Sequence, residues 1–331
     1  MTPLARLNVR AHFTAWLNAS ARFLIGGWIC ACLASCGQPM VEPNLPGPED
    51  GLQYESPAEV WDEALPLGNG IMGALVWGDG NPLKISLDRS DLWDLRKVPE
   101  FYSEEYNFEL MRQWHLEGKT ENLIRVYEDP YHRPAPTKIP AGRIELDLGP
   151  DNTFTKAGLS LIDATASVAL TGFKAQVLVH AKDPVGMIRI ESGEPASLQL
   201  VPPPFAGEVE ARAEGGIGAG DLAQLGYPAP VQTEGPNWKA YSQEGAEGFR
   251  FAVFVSWQED EIGWKAVWSV ASSFEGEDPL TLARQRVIRA LESFAEARNS
   301  HSAWWNQFWQ SSSVRLPNPV LERQWYLEQY K

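Results

Sequence analysis

From about residue 52 onward, apolar and polar positions alternate with a period of two over short runs, and Gly, Pro, Asn and Asp punctuate the runs. Leu83, Ile85 and Leu87 face one way and Lys84, Ser86 and Asp88 the other. The same alternation sets Ile144, Leu146 and Leu148 against Arg143, Glu145 and Asp147, and Phe249, Phe251, Val253 and Val255 continue it. Strands are expected over 70–77, 83–88, 142–148, 158–163, 166–171, 174–181, 186–191, 196–201, 248–257 and 263–272. Many short strands without interleaved helices predict a mainly β fold, a large antiparallel β-sandwich, or super-sandwich, over 52–277.

Two stretches break this period. Phe108, Met111 and Trp114, then Leu123, Ile124 and Val126, fit two short helices within 104–127 that part near Gly118. After residue 277 the spacing becomes helical: Asp278 and Pro279 make a cap and first-turn proline, and Leu280, Ala283, Val287, Ala290, Leu291 and Phe294 share one face to about Arg298. Ser300 is the expected cap of a second helix carrying Trp304, Trp305, Phe308 and Trp309, which completes a helical linker over 278–312. The tryptophan stripe is expected to pack between two domains, its partner surface lying outside this chain. A third helix starts at Val320 and reaches Lys331 without a C-terminal cap, the pattern of a chain truncated inside a further helical domain that begins at 313. The Pro- and Gly-rich stretch 202–237 is expected to be a loop.

Gly68, Gly70 and Gly73 in "LPLGNGIMGALVWGDG" spell G-x-G-x-x-G. A dinucleotide site needs a helix after this motif, whereas a strand-forming run and a hairpin follow here, and no H-R-D or D-F-G element appears downstream. The glycines are expected to form the turn that launches the first hairpin.

The net charge of −15, with no run of Lys or Arg to make a cationic patch, argues against a nucleic-acid partner, and 44% hydrophobic residues suffice for a core. The N-terminus changes the picture further. Arg6, Arg10 and Arg22 precede the apolar run 23–34, which is too short to span a bilayer and is flanked as an export signal is. It ends in Leu33-Ala34-Ser35-Cys36, which resembles a bacterial lipobox, so 1–35 is expected to be a lipoprotein signal peptide, Cys36 the lipidated residue, and 36–51 a flexible tether. The expected location is exported and membrane-anchored, periplasmic or at the cell surface. All three cysteines, Cys30, Cys32 and Cys36, lie in or at the end of that signal, leaving the mature domain no disulfide or thiolate chemistry.

"WDEALPLGNGIMGALVWGDG" (61–80), "KISLDRSDLWDL" (84–95) and "IPAGRIELDL" (139–148) together resemble the N-terminal domain of glycoside hydrolase family 95, the α-L-fucosidase family, over about residues 52–275. The chain departs from that family where Leu87-Asp88-Arg89-Ser90-Asp91-Leu92-Trp93-Asp94 replaces N-E-x-x-L-W-S-G. The resemblance implies a β-sandwich, a helical linker and the start of an (α/α)6 barrel. It also implies an exported hydrolase acting on terminal α-L-fucosyl or similar residues of oligosaccharides. Phosphorylases and hydrolases of family 65 share the layout and are an alternative, as is a non-catalytic glycan-binding surface lipoprotein. The family's catalytic groups lie in its barrel, which here falls beyond Lys331. No catalytic residue is therefore expected in this chain, and its partners are a glycan, the membrane through its lipid anchor and its own downstream barrel.

Few residues then tempt. Trp93 and Trp238 sit beside turns and Asn69 between glycines, so these three are the candidate substrate rim. Trp61, Trp77, Trp257 and Trp268 lie in strand patterns and are read as core. Asp88, Asp91 and Asp94 are expected to point apart as solvated or turn-capping groups, and Asp79-Gly80-Asn81 to be a turn. No metal ligand spacing joins His115, His132, His180 and His301, so neither metal nor cofactor is expected.

Overall fold

A computed structural model describes residues 44–191, 193–203, 222 and 224–331. The signal, Cys36 and the chain to residue 43 lie outside the described residues, as does most of the loop expected over 202–237. Among the described residues the order begins with β1 (Leu52–Tyr54), β2 (Leu65–Gly68), β3 (Met72–Trp77), β4 (Leu83–Arg89) and β5 (Trp93–Asp94). Helices α1 (Phe108–Leu116) and α2 (Thr120–Leu123) interrupt, parting at Gly118 as the sequence suggests. Then come β6 (Thr137–Lys138), β7 (Arg143–Asp147), β8 (Phe154–Ser160), β9 (Thr165–Leu170), β10 (Phe173–Val179), β11 (Gly186–Ile190) and β12 (Ser197–Val201). The strands close with β13 (Val231–Gly235), β14 (Trp238–Glu244), β15 (Arg250–Asp260) and β16 (Gly263–Ser272), and the chain finishes in α3 (Pro279–Glu292), α4 (Phe294–Ser311) and α5 (Pro319–Tyr330).

Two antiparallel sheets make the sandwich, one ordered β1-β8-β9-β10-β11-β16-β15-β14-β13 and the other β12-β7-β4-β3-β2. Met72, Ala74 and Val76 with Ile85, Leu87, Ile144 and Leu146 meet Val168, Val177, Val253, Val255 and Trp268 of the larger sheet, all of them buried. Helix α3 covers the opposite face of that larger sheet, where Leu178, Met187, Phe254 and Val267 pack on Ala283, Val287 and Leu291. The central strands are thus buried on both faces, which is why β11 reads as an unbroken apolar run apart from Arg189 rather than an alternation.

The structure differs from the sequence expectations in four places. β2 is a strand although Pro66 sits in it; it forms the edge of the five-stranded sheet, where a missing N–H is tolerated. β13 begins inside the expected loop, and its Val231, Gln232, Thr233 and Glu234 are all exposed, so no periodicity marks this edge strand. The helix expected to reach Arg298 breaks at Ser293 (φ −110°, ψ 41°), and Ser300 lies inside α4, where its hydroxyl donates to the Ala297 carbonyl. The segment 44–51 of the expected tether is tied down: the Asn44 amide donates to the Val314 carbonyl at 2.8 Å, Arg323 reaches the Gly51 carbonyl, and Asp50 is buried.

The aromatic stripe of α4 also finds its partner within this chain. Trp309 Nε1–H donates to the Leu161 carbonyl at 2.7 Å, and Trp309 and Trp305 pack against Tyr326 and Tyr330 of α5. The carboxylates of "LDRSDLWD" part as expected, Asp88 to Lys138, Asp91 to Arg89 and Ser272, and Asp94 to Arg96.

Gly186 on β11 gives the close-packed centre a sharp test. A Cβ there would lie 1.9 Å from the indole of the fully buried Trp268. Gly186→Ala is expected to lower stability by about 1–3 kcal/mol or more, as overpacking does. Urea unfolding measures it; a midpoint equal to wild type contradicts the packing.

Candidate functional site

Strand register gathers five connections on one end of the sandwich. Gly68 pairs with Gly73, which pairs with Asp88, so the β2–β3 tip lies beside the end of β4, and Ser90 N–H donates to the Ile71 carbonyl at 2.8 Å. Val179 pairs with Gly186, placing the β10–β11 turn at the matching end of the larger sheet, and the β8–β9 turn lies beside it because Ala166 pairs with Val177. Arg89 Nη1 donates to the Val270 carbonyl, and Ser272 Oγ to Asp91, so the end of β16 closes the row.

Asn69 holds this end together. Its Oδ1 accepts from Ile71 N–H (3.0 Å) and Met72 N–H (2.8 Å), while its Nδ2 donates to the His180 carbonyl (2.8 Å) and the Asp183 carbonyl (3.3 Å). Two N–H groups on one side and two carbonyls on the other fix the amide's orientation and use it fully. Gly70, at φ +83°, turns the chain beside it. Asn69 therefore pins the tip of the smaller sheet onto the turn of the larger one.

A cleft of about 450 Å³ opens between this tip and α4, lined on one side by Gly68, Asn69 and Gly70 and on the other by Trp304, Trp305 and Phe308. Trp304 and Phe308 stack at 5.5 Å with 12° between their rings, and Trp305 meets Trp304 edge-on at 5.0 Å. Trp305 Nε1 is buried with no hydrogen-bond partner among the described residues. Tyr330 of α5 closes the far side and donates its hydroxyl to the Pro66 carbonyl at 2.7 Å. The volume fits a small ligand, and a flat aromatic pair offers the apolar surface that the C–H faces of a pyranose ring can cover.

Two buried histidines set α4 against this end. Backbone N–H groups of Asp183 and Lys182 point at His180 Nδ1, so its Nε2 carries the proton and donates to Ser300 Oγ at 2.8 Å. Ala181 N–H likewise points at His301 Nδ1, and His301 Nε2–H donates to the Asp163 carbonyl at 2.7 Å. Burial lowers both pKa values, and for each ring the effects of its neighbours, Asp183 and Lys182 or Asp163, Arg298 and the other histidine, are smaller and of mixed sign. Both rings are neutral anchors rather than acid–base groups.

Of the sequence candidates, Asn69 lies at the first cleft and Trp93 on the same end of the sandwich, 41% exposed, with its Nε1–H donating to the Ser90 carbonyl at 3.0 Å. Trp238 is placed apart. It pairs with Ser256, at the far end of β14 from the Glu244–Arg250 pair, and is half-buried, stacked on Phe254 at 5.5 Å beside the layer that α3 covers. Sequence reasoning took Trp304 and Phe308 for inter-domain packing. Their spacing makes 304/308 and 305/309 adjacent i, i+4 pairs, of which the structure buries the second and leaves the first half-buried at the cleft, a difference no sequence signal marks. Among the described residues no three His, Cys, Asp or Glu side chains converge to hold a metal.

A family model described as "Glycosyl hydrolase family 65, N-terminal domain" matches residues 52–255. The chain belongs to this family. The match begins with β1 and includes Asn69, Trp93 and Trp238, while Trp304 and Phe308 lie after it. What holds of the sequence resemblance is thus its coarser part, an N-terminal domain of the glycoside hydrolase kind, with family 65 matched rather than 95. No curated protein matches the chain. A solved structure described as "Putative kojibiose phosphorylase from human microbiome" is similar with 10% identity and a TM-score of 0.42, over 81% of this chain and 36% of that one. The chain spans little more than a third of that protein's length.

Asn69→Asp tests the pin. The carboxylate keeps both N–H bonds but turns an anionic oxygen toward two carbonyls, so it is expected to cost more stability than Asn69→Ala, which loses about 1–3 kcal/mol. Urea melts of the pair measure the order; equal losses contradict the assignment. The histidines predict a pH effect. Because their native pKa values are depressed, their contribution is complete above about pH 6.5 and declines as the pH falls below it, where the unfolded chain takes up protons that the native rings refuse. The melting midpoint of wild type, referred to that of His301→Gln, is expected to drop between pH 7 and 5; a constant difference contradicts neutral rings.

Proposed function

We propose that this chain is the N-terminal portion of an exported, lipid-anchored enzyme that cleaves glycosidic bonds in oligosaccharides, with its chemistry in a helical barrel beyond residue 331. Membership of the family 65 N-terminal domain over 52–255 carries the reading and supports a carbohydrate as substrate. The first cleft supports it from the side of geometry, because it offers an aromatic wall and backbone polar groups. None of its lining residues is an Asp or Glu. Glycosidic cleavage of the usual kind needs two carboxyl groups flanking the bond, so in this reading the first cleft contributes an entrance wall and the reacting groups come from the barrel.

Within this class, the matched family favours a family 65-like hydrolase or phosphorylase. Specificity for terminal α-L-fucosyl residues rests on the A-L-P-L-G-N-G stretch and is the finer alternative. The lack of a carboxylate pair in the cleft also fits a non-catalytic glycan-binding lipoprotein, which a stop codon directly after Lys331 would favour. Export and anchoring rest on the run 23–34 and Leu33-Ala34-Ser35-Cys36, with Cys36 as the acylated residue and the membrane as a partner.

The protein from a reading frame continuing past Lys331 is expected to release free sugar from an oligosaccharide, or a sugar 1-phosphate when inorganic phosphate is the acceptor; fucose release identifies the finer alternative. This chain alone is expected to release none of these, and measurable turnover by it sinks the claim that the chemistry lies downstream. Mass spectrometry of the mature protein is expected to show an acylated Cys36 at the N-terminus; an unmodified start elsewhere contradicts the anchor.

A further inference from the structure

The same end of the sandwich carries a second cleft, also of about 450 Å³, beside β5 and the ends of β15 and β16. Two exposed aromatic rings, Trp93 at 41% and Phe274 at 63%, stand on it together with Arg96, Glu247, Arg250 and Glu277. Its floor is rigid. The Asp94 carboxylate, with no exposed side-chain surface, takes Arg96 in a two-point contact (Nε at 3.0 Å, Nη2 at 2.6 Å) and the Tyr227 hydroxyl at 2.8 Å. Burial opposes the ionisation of Asp94, but these hydrogen bonds outweigh it and hold the carboxyl below its ordinary range. Arg96 Nη2 also donates to the Leu225 carbonyl at 2.9 Å, so the guanidinium is fixed while it stays partly open to the cleft.

The wall is built with backbone strain. Glu247 has φ +52° and ψ 32°, a left-handed conformation that costs a non-glycine residue about 1 kcal/mol or more. Gly248 follows at φ +80°, and the turn is closed by Gly245 N–H to the Phe249 carbonyl at 2.8 Å. Arg250 is held at the other side by the Glu277 carbonyl at 2.7 Å. The Glu247 and Glu277 carboxylates accept no hydrogen bond among the described residues, and the charge of Glu247 acts on Arg96 across the cleft.

Charge decides what such a cleft takes. Asp94 and Arg96 cancel, and one further arginine stands against two glutamates, so neither a phosphate nor a uronate finds a cationic pocket. Arg250 offsets one of the two glutamates, so a cationic guest on the aromatic rings meets at most one uncompensated carboxylate rather than an anionic cage. A neutral polyhydroxylated ring satisfies every element: carboxylates accept from its hydroxyls, guanidinium N–H groups donate to them, and the indole and phenyl rings cover its C–H faces. Bonds from Trp93 to Ser90 and from Ser90 to Ile71 join this cleft to the hairpin tip that borders the first. We propose that the second cleft is a saccharide subsite that holds a neutral pyranose ring of an extended oligosaccharide, remote from the bond that is cut. The inference rests on the glycoside reading above and deepens it, since it assigns the sandwich a binding site of its own for a long substrate.

Titration calorimetry of the full-length chain with maltotetraose, cellotetraose, mannotetraose and 2′-fucosyllactose tests it, with glucuronic acid and glucose 1-phosphate as charged comparators. At least one neutral saccharide is expected to bind. Trp93→Ala and Phe274→Ala are each expected to weaken that binding roughly tenfold while both variants still unfold cooperatively. Affinity within twofold of wild type in both variants, tighter binding of a charged comparator, or no neutral ligand from the panel overturns the proposal. Trp304→Ala separates the two clefts. If it abolishes binding that Trp93→Ala and Phe274→Ala leave intact, the second cleft fails and the first stands; if it changes nothing while those two weaken binding, the first cleft fails as a sugar site and the second stands.

Discussion

Ring N–H groups meeting backbone carbonyls fix α4 to one end of the sandwich, and the rest of the arrangement depends on that seam. Trp309 donates to Leu161 and His301 to Asp163, two carbonyls of the single β8–β9 turn, while His180 reaches Ser300 from the neighbouring turn. Turn carbonyls that no strand ladder satisfies are costly to bury, and here the helix supplies their donors. Because those donors are indole and neutral imidazole, these bonds themselves carry no charge. The aromatic face of α4 that remains beyond it, Trp304 with Phe308, is thereby held opposite the Asn69 tip.

Much of this was legible in the sequence where burial is one-sided. β7 alternates cleanly and β4 does so in sequence, although Ser86 and Arg89 are also buried, and both strands fall within a residue of the expected bounds. Legibility fails where pattern carries no burial information. β13 is exposed along its length and β2 contains a proline, so neither advertises itself, and both are edge strands that depend on a neighbour for their existence. The helix break at Ser293 was hidden because Phe294 continues the apolar face of α3 in sequence while opening α4 in space.

The site was legible in a different way. Asn69 stood out because it lies between glycines, and the structure gives the reason in four hydrogen bonds: two are local, to Ile71 and Met72, and two reach the β10–β11 turn, 111 and 114 residues away, which no local pattern shows. Trp93 was read from a turn, yet its setting depends on Asp94 beneath it, Tyr227 and the strained Glu247, which come from three separate parts of the chain. Trp238 looked the same in sequence and is set apart by register alone, since pairing with Ser256 carries it to the opposite end of β14. Residues that only long-range pairing brings together leave no local period to read.

Where the two sheets are pinned at one end, the turns there supply polar groups and glycine bends that regular strands spend on their own ladders. That end holds Asn69, the neutral histidines, the left-handed Glu247 and both clefts, whereas the α3 face is covered by ordinary apolar packing. The asymmetry follows from where the helices go: α3 uses up one broad face, α4 and α5 fold over one end, and the gaps left between helix and turn are the clefts. A domain built this way is shaped to present one end, and Asn69 fixes the register of that end by joining the two sheets through its side-chain amide.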